Sequence, residues 1–402
     1  MAQHRHHSRY TWPVAAAVAV VASIGLLRLV ISMAATIVAS SEPETAVITG
    51  GANKVEGVLD ASGTAILQFG TLSAPSGPTL YVATNGEDGN DGTTESTPKK
   101  TIAAALSAAN PGDTILVGPG TYDGNFITTK GGTAEGIITI RSATRHGAKI
   151  NGNNSTSSQS AVEINHEYIR FQDFEVTGEM GTRHGVYAAA NNIEIVGNHI
   201  HTICRFKTDG TGWKGGAGIQ SGQPQLSGVL IDGNIIHDIG APGSTEQLVH
   251  GMYIDAHVTD TVVSNNIIYN VEDFGLHPYD ETEASGWVFV NNVIYNTGRG
   301  ILQAPGGVTR NNIVFDTRGA RYDIRGDGNV VSNNMGGGTG EGGQEGVTDA
   351  DPLFVDAQNH DFRLQPGSPA IGAGTMTDAP PKDAGGVTRP QGGAIDMGAY
   401  EQ

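Results

Sequence analysis

Six short phrases between residues 195 and 335 decide the fold, because each places an asparagine at the same point of an apolar segment. They read Ile195-Val-Gly-Asn198-His-Ile, Ile231-Asp-Gly-Asn234-Ile-Ile, Val263-Ser-Asn-Asn266-Ile-Ile, Val290-Asn-Asn292-Val-Ile, Thr309-Arg-Asn-Asn312-Ile-Val and Val331-Ser-Asn-Asn334-Met. Asp173 takes the same place one turn earlier, and the spacings are 25, 36, 32, 26, 20 and 22 residues. Fixed phrases at variable spacing indicate insertions in loops, and a repeat of this length built from short alternating segments predicts a solenoid of β-strands.

A second phrase falls between successive asparagines, so each coil has at least two strands. It reads His184-Gly-Val-Tyr, Ala217-Gly-Ile-Gln, His250-Gly-Met-Tyr, Phe274-Gly-Leu-His and Arg299-Gly-Ile-Leu. Leucine-rich repeats need Leu at fixed offsets, which are missing, whereas Val, Ile, Tyr and Asn dominate these phrases. The sequence therefore predicts an all-β protein, a parallel β-helix.

Strand alternation predicts which side chains face outward. The residue after each glycine is expected to point into the core, and these residues are Val186, Ile219, Met252, Leu276 and Ile301. The next residue then forms an outward column of Tyr187, Gln220, Tyr253, His277 and Leu302. The asparagine column is interpreted as structural, because asparagine tolerates left-handed backbone at turns and its stacked amides hydrogen-bond from coil to coil.

Composition narrows the classes of protein. The 402 residues include 58 glycines, with 38% hydrophobic and 16% charged residues, which is typical of a folded, turn-rich chain. Lys and Arg total 23 against 41 Asp and Glu, and the resulting net charge of −18 argues against a general nucleic-acid binder. Cys204 is the single cysteine, which excludes an intrachain disulfide and a cysteine metal cluster.

The N-terminal segment indicates export from the cytoplasm. Arg5 and Arg9 precede an uncharged run over residues 12–27, and Arg28 interrupts the apolar stretch that follows. Residues 1–40 are therefore expected to be a cleaved signal peptide or an uncleaved anchor, and the sequence leaves both open. We expect a monomer, secreted or at the cell surface, that meets a membrane only through this segment.

The remaining chain divides into three parts. Residues 41–78 form a linker, residues 79–350 the β-helix and residues 351–402 a segment that closes it. A helix is predicted with Thr97 as its N-cap residue and an apolar stripe that begins at Ile102. Such a helix covers the open end of the coil stack, whose terminal strand otherwise presents unpaired backbone groups.

Several segments resemble a known family. They are Tyr81-Val-Ala-Thr-Asn-Gly-Glu-Asp-Gly-Asn-Asp-Gly-Thr, Lys100-Thr-Ile-Ala-Ala-Ala, Pro111-Gly-Asp-Thr-Ile-Leu-Val-Gly-Pro-Gly-Thr-Tyr122, Asp351-Pro-Leu-Phe, Pro366-Gly-Ser-Pro-Ala-Ile and Asp396-Met-Gly-Ala-Tyr-Glu. The first three resemble the opening, and the last three the closing segment, of right-handed parallel β-helix proteins of the pectate lyase superfamily. The resemblance covers residues 79–402 and implies that fold. It leaves the reaction open, because the superfamily includes polysaccharide lyases, uronate epimerases, hydrolases and proteins with no known activity.

The outward columns supply the residue types that uronate chemistry requires. Lyases and epimerases of this class remove the proton at C5 of a sugar whose carboxylate must be neutralised, which takes a base, an acid and a cation. We predict His277 as the base, Tyr253 or Tyr279 as the proton donor and Arg299 as the carboxylate clamp. The predicted substrate-binding residues are His250, Tyr187, Gln220, Gln303 and Arg321.

Charge distribution suggests a calcium ion beside an acidic polysaccharide. Ten acidic residues and no Lys or Arg lie between residues 215 and 298, and five arginines follow between Arg299 and Arg325. The resemblance implies that such an arrangement holds Ca²⁺ and a polyuronate together, and the candidate ligands are Asp255, Asp280 and Glu281. No other cofactor is expected.

The preferred function is that of a lyase-like enzyme that cleaves an acidic polysaccharide by β-elimination. A non-catalytic carbohydrate-binding or cell-surface β-helix is the main alternative. Epimerisation is a second alternative, although His277 and Tyr279 stand where the resembling epimerase motif has Asp and His. Hydrolysis ranks lower because the Gly-His-Gly phrase of the hydrolases with this fold is absent.

Overall fold

The computed structural model describes residues 36–39, 46–49, 76–152, 159–178, 181–206, 215–222, 226–241, 248–254, 260–278, 287–340 and 343–402. The chain divides into two compact units, residues 1–71 and residues 72–402. Most of the predicted export segment and linker lies outside the described residues, and both stay predictions. No helix in the described ranges is long and apolar enough to span a membrane.

Short strands dominate the chain. In chain order they are β1 (Thr36–Ala39), β2 (Ala46–Thr49), β3 (Thr79–Val82), β4 (Thr114–Val117), β5 (Gly120–Asp123), β6 (Phe126–Ile127), β7 (Ile138–Ser142), β8 (Ala148–Asn151), β9 (Ser160–Ile164), β10 (Ile169–Gln172), β11 (Glu175–Thr177), β12 (His184–Ala188), β13 (Glu194–Val196), β14 (His199–Ile203), β15 (Gly216–Ser221), β16 (Leu230–Asp232), β17 (Ile235–Ile239), β18 (Val249–Ile254), β19 (Thr261–Ser264), β20 (Ile267–Pro278), β21 (Trp287–Val290), β22 (Val293–Gln303), β23 (Val308–Arg310), β24 (Ile313–Phe315), β25 (Tyr322–Ile324), β26 (Val330–Ser332), β27 (Asn334–Gly337), β28 (Val347–Asp349), β29 (Phe354–Asp356) and β30 (Asp361–Leu364). One α-helix, α1 (Ile102–Ala108), and a 3₁₀-helix (Ala357–Asn359) complete the elements of the described ranges. In the first unit, β1 and β2 pair antiparallel.

The strands of the second unit wind into a right-handed parallel β-helix with three faces, as the sequence predicted in outline. The first face is a ten-stranded parallel sheet that runs from β3 to β26. The second face contains β11, β14 and β17, and the third contains β12, β15 and β18. The long strands β20 and β22 belong to both, because the first half of each pairs on the second face and the second half on the third.

The residue after each phrase glycine lies in the core, as predicted: Val186, Ile219, Met252, Leu276 and Ile301 are all fully buried. The glycines themselves are required by close packing against the second face. A Cβ atom on Gly251 would lie 2.6 Å from Ile268 Cγ2, and one on Gly275 would lie 2.7 Å from Ile294 Cγ2. The recurrent glycine therefore lets two faces of the coil approach, which accounts for part of the high glycine content.

The asparagine column is a buried hydrogen-bonded ladder, as predicted. Asn266 shows its pattern: its side-chain oxygen accepts from the backbone and side-chain nitrogens of Asn234, and its Nδ2 donates to Asn292 Oδ1 and to the Ile231 carbonyl. The prediction was wrong in one detail, since the left-handed backbone belongs to the residue before each asparagine, as at Asn265 with φ +54°. The first position is also shifted, because Asp173 has this left-handed backbone and Phe174 occupies the ladder position, as its N–H donation to Asn198 shows.

The N-terminal end of the coil stack carries α1, whose Ile102, Ala105 and Leu106 are buried. Its N-cap residue is Thr101, which accepts from the backbone of Ala104, and not Thr97. The predicted start was wrong because the chain before it runs extended, with Lys99 bridged to Val82 of β3. At the other end, β29 and β30 form an antiparallel pair.

Candidate active site

The candidate site lies on the outer side of the third face. Tyr187, Gln220, Tyr253 and His277 follow one another in register on adjacent strands, and all four are half-buried. Leu302 continues the column in sequence but is fully buried. The expectation that the outward column extends to Leu302 was therefore wrong, and its polar part ends at His277.

Two imidazoles form the centre of the site. His277 Nδ1 lies 3.2 Å from His250 Nε2, and the two rings meet edge to face at a centroid separation of 4.5 Å. The Tyr253 ring stacks on His250 at 4.8 Å and lies 5.2 Å from His277. Only 1% of His250 is exposed, so His277 is the member of the pair that a ligand can reach.

Asp273 and Arg299 lie behind the imidazole pair. Asp273 Oδ2 is 3.6 Å from His250 Nδ1, and the same carboxylate accepts two hydrogen bonds from Arg299, at 2.7 and 2.8 Å. The Arg299 guanidinium also sits 3.8 Å above the Phe274 ring, which in turn stacks on His277 at 4.8 Å. A register shift between Val271 and Phe274 of β20 occurs directly beside this carboxylate. Bulges of this kind re-aim side chains, and here Asp273 lies against His250.

Electrostatics keep both imidazoles neutral at physiological pH. Burial, reinforced by the positive charge of Arg299, lowers the pKa of His277 to about 4. Burial also holds the pKa of His250 well below its usual value and raises the pKa of Asp273, although Arg299 opposes the rise. A neutral imidazole carries one ring proton, so each ring has one donor and one acceptor nitrogen.

The carboxylate selects the tautomers of the pair. A negative charge beside His250 Nδ1 favours the proton on that nitrogen, which leaves His250 Nε2 to accept from His277 Nδ1–H. The lone pair of His277 Nε2 is then uncommitted, and this nitrogen makes no hydrogen bond to any residue that the structure describes. The base is thus oriented by a hydrogen bond to a second imidazole, and the Asp273 carboxylate acts on that imidazole through its charge, from 3.6 Å, beyond hydrogen-bond distance.

The remaining predicted residues have different surroundings. Tyr187 donates its hydroxyl to the Gly222 carbonyl at 2.8 Å. Gln303 is fully buried and bonds to Thr309 and Ala304, and Arg321 is 4% exposed with an ion pair to Asp349 at 3.3 Å. Both side chains are thus used inside the protein, and the structure does not bring them to the imidazole pair. Tyr279, Asp255, Asp280 and Glu281 lie outside the described residues.

Most of the arginine-rich segment is also paired internally. Besides Arg299, Arg310 bonds to Asp378, Arg325 to Asp323 and Arg318 to backbone carbonyls of β20. Within the described ranges, no group of three or more His, Cys, Asp and Glu residues is placed to hold a metal ion.

Two members of the site were missed by the sequence reasoning. Asp273 stands directly before the Phe274-Gly phrase, and only the strand pairing shows that this carboxylate meets His250. Phe274 was noted as part of a phrase, but its contact with Arg299 depends on how β22 pairs with β20. In the sequence, only their positions point to the site: Asp273 directly precedes the repeated phrase, and Phe274 is its first residue.

Comparisons with known proteins agree with this architecture. Residues 80–224 match the family described as "Pel9A-like, right handed beta helix region", and residues 190–385 match one described as "Disaggregatase related". Among solved structures, pectate lyase Pel9A is 17% identical with a TM-score of 0.52, over 81% of this chain and 96% of that one. An alginate lyase from Paenibacillus sp. is 19% identical with a TM-score of 0.38, over 68% of this chain and 95% of that one. A lacto-N-biosidase from Eubacterium ramulus is 15% identical with a TM-score of 0.43, over 65% of this chain and 56% of that one.

The fold and the Pel9A-like match define the class. The chain is a right-handed parallel β-helix protein, and its residues 80–224 are similar to the Pel9A-like β-helix region. At such low identity the solved structures show a shared fold and leave the reaction undefined. No curated protein matches this sequence.

Proposed function

We propose that the protein is an exported, lyase-like enzyme that cleaves an acidic, uronate-containing polysaccharide by β-elimination. One observation carries the proposal, namely the line of Asp273, His250 and His277 on the outer side of the third face, with Tyr253 packed against both imidazoles. The hydrogen bond to His250 fixes the ring of His277 and leaves its Nε2 for a polysaccharide bound on this face.

The proposed reaction begins with proton removal by His277. Nε2 takes the proton from C5 of the uronate, the C5–H electron pair forms the C4–C5 double bond, and the bond from C4 to the leaving oxygen breaks. A proton must reach that oxygen, and the Tyr253 hydroxyl is the donor that we assign within the described residues. Tyr279 remains a predicted alternative donor.

Arg299 supplies the positive charge that the reaction requires. Two of its nitrogens are held by Asp273, and Nη1 makes no hydrogen bond to a described residue. We assign Nη1 to the substrate carboxylate, because withdrawing charge from that group acidifies the adjacent C5–H. The bidentate pair with Asp273 fixes the guanidinium plane and so fixes the direction of Nη1.

Calcium, monomeric state and export form part of the same proposal. Carboxylate oxygens are the ligands that Ca²⁺ prefers, and Asp255, Asp280 and Glu281 are the assigned candidates. Export is inferred from the apolar N-terminal run, and an extracellular polysaccharide is a substrate that such a location makes available.

Ultraviolet absorbance of the purified chain with pectate, alginate and glycosaminoglycans tests the proposal, with calcium and then with chelator. We expect unsaturated uronate to accumulate on one of them with the parent chain and not with His277→Ala. His166→Ala is the matched control, because His166 is also a half-buried imidazole, bonded to Thr128 on an earlier coil. A flat trace from folded protein that still binds the glycan would overturn the proposal and favour the non-catalytic carbohydrate-binding function.

A further inference from the structure

A second group of imidazoles lies on the second face, apart from the candidate active site. His199 on β14 and His237 on β17 point their Nε2 atoms at one another at 2.7 Å. The His237 ring stacks on the rings of His201 and Tyr269, with centroid separations of 5.1 and 4.6 Å. Tyr269 precedes the left-handed turn at Asn270, and His277 follows that turn, so the two groups lie on different faces.

The two facing nitrogens have the chemistry of metal ligands. His237 Nδ1 is 2.9 Å from Asp238 Oδ2, which fixes the proton on Nδ1 and leaves Nε2 with its lone pair directed at His199. A ring nitrogen held by a carboxylate in this way is the usual support of a histidine that ligates a metal through its other nitrogen. His199 Nε2 faces the same point from β14, so both imidazoles present a ring nitrogen there.

We propose that His199 and His237 bind one divalent transition-metal ion that prefers imidazole, such as Zn²⁺, Ni²⁺ or Cu²⁺, with water in the remaining positions. Metal–nitrogen bonds of about 2.05 Å in a tetrahedron place the two nitrogens about 3.3 Å apart, so binding needs them to separate by about 0.6 Å from the observed contact. His237 is 14% and His201 18% exposed at the side chain, which leaves the edge of the group open to solvent.

Neighbouring charges favour a cation at this point. Asp238 and Glu175 are the acidic groups beside the imidazoles, and Lys149 is paired with Glu175 at 2.8 Å. Because His201 Nε2 is also bonded to Glu175, at 3.2 Å, His201 is a neighbour and not a ligand in this arrangement. The two ligands stand on successive coils, so one ion ties β14 to β17.

Isothermal titration calorimetry with Zn²⁺ tests the site in the full chain. Imidazole is a metal ligand wherever it is exposed, so every protein compared carries His4, His6 and His7 as alanine. We expect one high-affinity ion per chain in this background, at least tenfold weaker binding in His199→Ala and in His237→Ala, and unchanged binding in His166→Ala. Asp238→Asn is expected to weaken binding by about 10–100-fold, because it removes the support of His237 Nδ1.

Two further readouts separate a lost ligand from a lost fold. Zn²⁺ should raise the melting temperature of the background chain and leave those of the two alanine variants unchanged, and circular dichroism must show folded variants. If either alanine variant is unfolded, His237→Gln takes its place. Electron paramagnetic resonance of bound Cu²⁺ should then show two coordinated imidazole nitrogens in the background chain and one in His237→Gln. Absence of 1:1 binding in the background, or binding in folded histidine variants as tight as in the background, would overturn the proposal.

Discussion

His277 Nδ1 lies 3.2 Å from His250 Nε2, so the most accessible imidazole of the third face is hydrogen-bonded to one that is almost fully buried. The buried ring is in turn 3.6 Å from the Asp273 carboxylate. This contact allows a single charge in the interior to determine which nitrogen of His277 carries a proton. The proposed role of His277 as a base depends on it.

Activity is expected to persist well below neutral pH. His277 acts as a base only while it is neutral, and its pKa of about 4 in the folded protein means that protonation sets in only as the pH approaches that value. The kcat/KM for elimination should therefore be flat from neutral pH down to about 5 and fall tenfold per pH unit below about 4. A pH–rate profile over a range where circular dichroism shows folded protein checks this, and an acid limb at the ordinary histidine value near 6.5 would contradict it.

Replacing Asp273 should damage stability and activity together. Asp273→Asn leaves Arg299, whose side chain is 32% exposed, without its carboxylate partner, and losing hydrogen bonds to such a charged group costs about 1.5–3 kcal/mol. Asp323→Asn is the matched control, because its pair with Arg325 is more exposed, at 25% and 35%, and is worth about 0–1 kcal/mol. Urea unfolding measures the free energy of unfolding of both variants. Equal losses of free energy in the two would contradict the importance assigned to the Asp273 pair.

The phrase glycine should not tolerate a methyl group. Gly251→Ala brings a Cβ to 2.6 Å from Ile268 Cγ2 and 2.7 Å from the Gly275 carbonyl, and overpacking of this kind costs about 1–3 kcal/mol. Gly392→Ala is the control, since nothing lies within 4 Å of its added Cβ. The free energy of unfolding should fall for the first variant and stay within about 0.5 kcal/mol for the second. A neutral Gly251→Ala would show that the two faces can separate.

The ladder should be sensitive to the loss of a single amide. Asn266→Ala removes the side-chain partner of the Asn234 N–H and of the Ile231 carbonyl, both in the interior. Each buried group left without a hydrogen bond costs about 1–3 kcal/mol. Asn151→Ala removes one bond, to Asp123 near the surface, and should cost less than about 1 kcal/mol. Thermal and urea unfolding compare the two variants. Similar losses would mean that the ladder is not a main source of stability.

The repeated phrases made the fold predictable, because burial, strand pairing and the asparagine ladder all recur with the same residue types. The left-handed residue was misplaced by one position, since both Asn265 and Asn266 are of a type that tolerates that backbone and only the structure separates their roles. Gln303 seemed available beside the outward column, but the burial of β22 at this point turns its amide to Thr309.

The candidate site was predictable only in part. Tyr253 and His277 occupy equivalent positions of one phrase, so strand stacking alone brings them together, and His250 opens the same phrase as Tyr253. Asp273 and the facing pair of His199 and His237 depend on a register shift and on side-chain directions, which repeat spacing does not encode.

The proposed function requires that His277 removes the C5 proton of a uronate. Proton nuclear magnetic resonance of the reaction products distinguishes the reactions. Both free a new reducing end, but β-elimination leaves a vinylic H4 and no H5 at the new non-reducing end, whereas hydrolysis leaves a saturated residue there. We expect vinylic signals that grow with the parent chain and are absent with His277→Ala. New reducing ends without vinylic signals, or equal vinylic growth in both proteins, would contradict it.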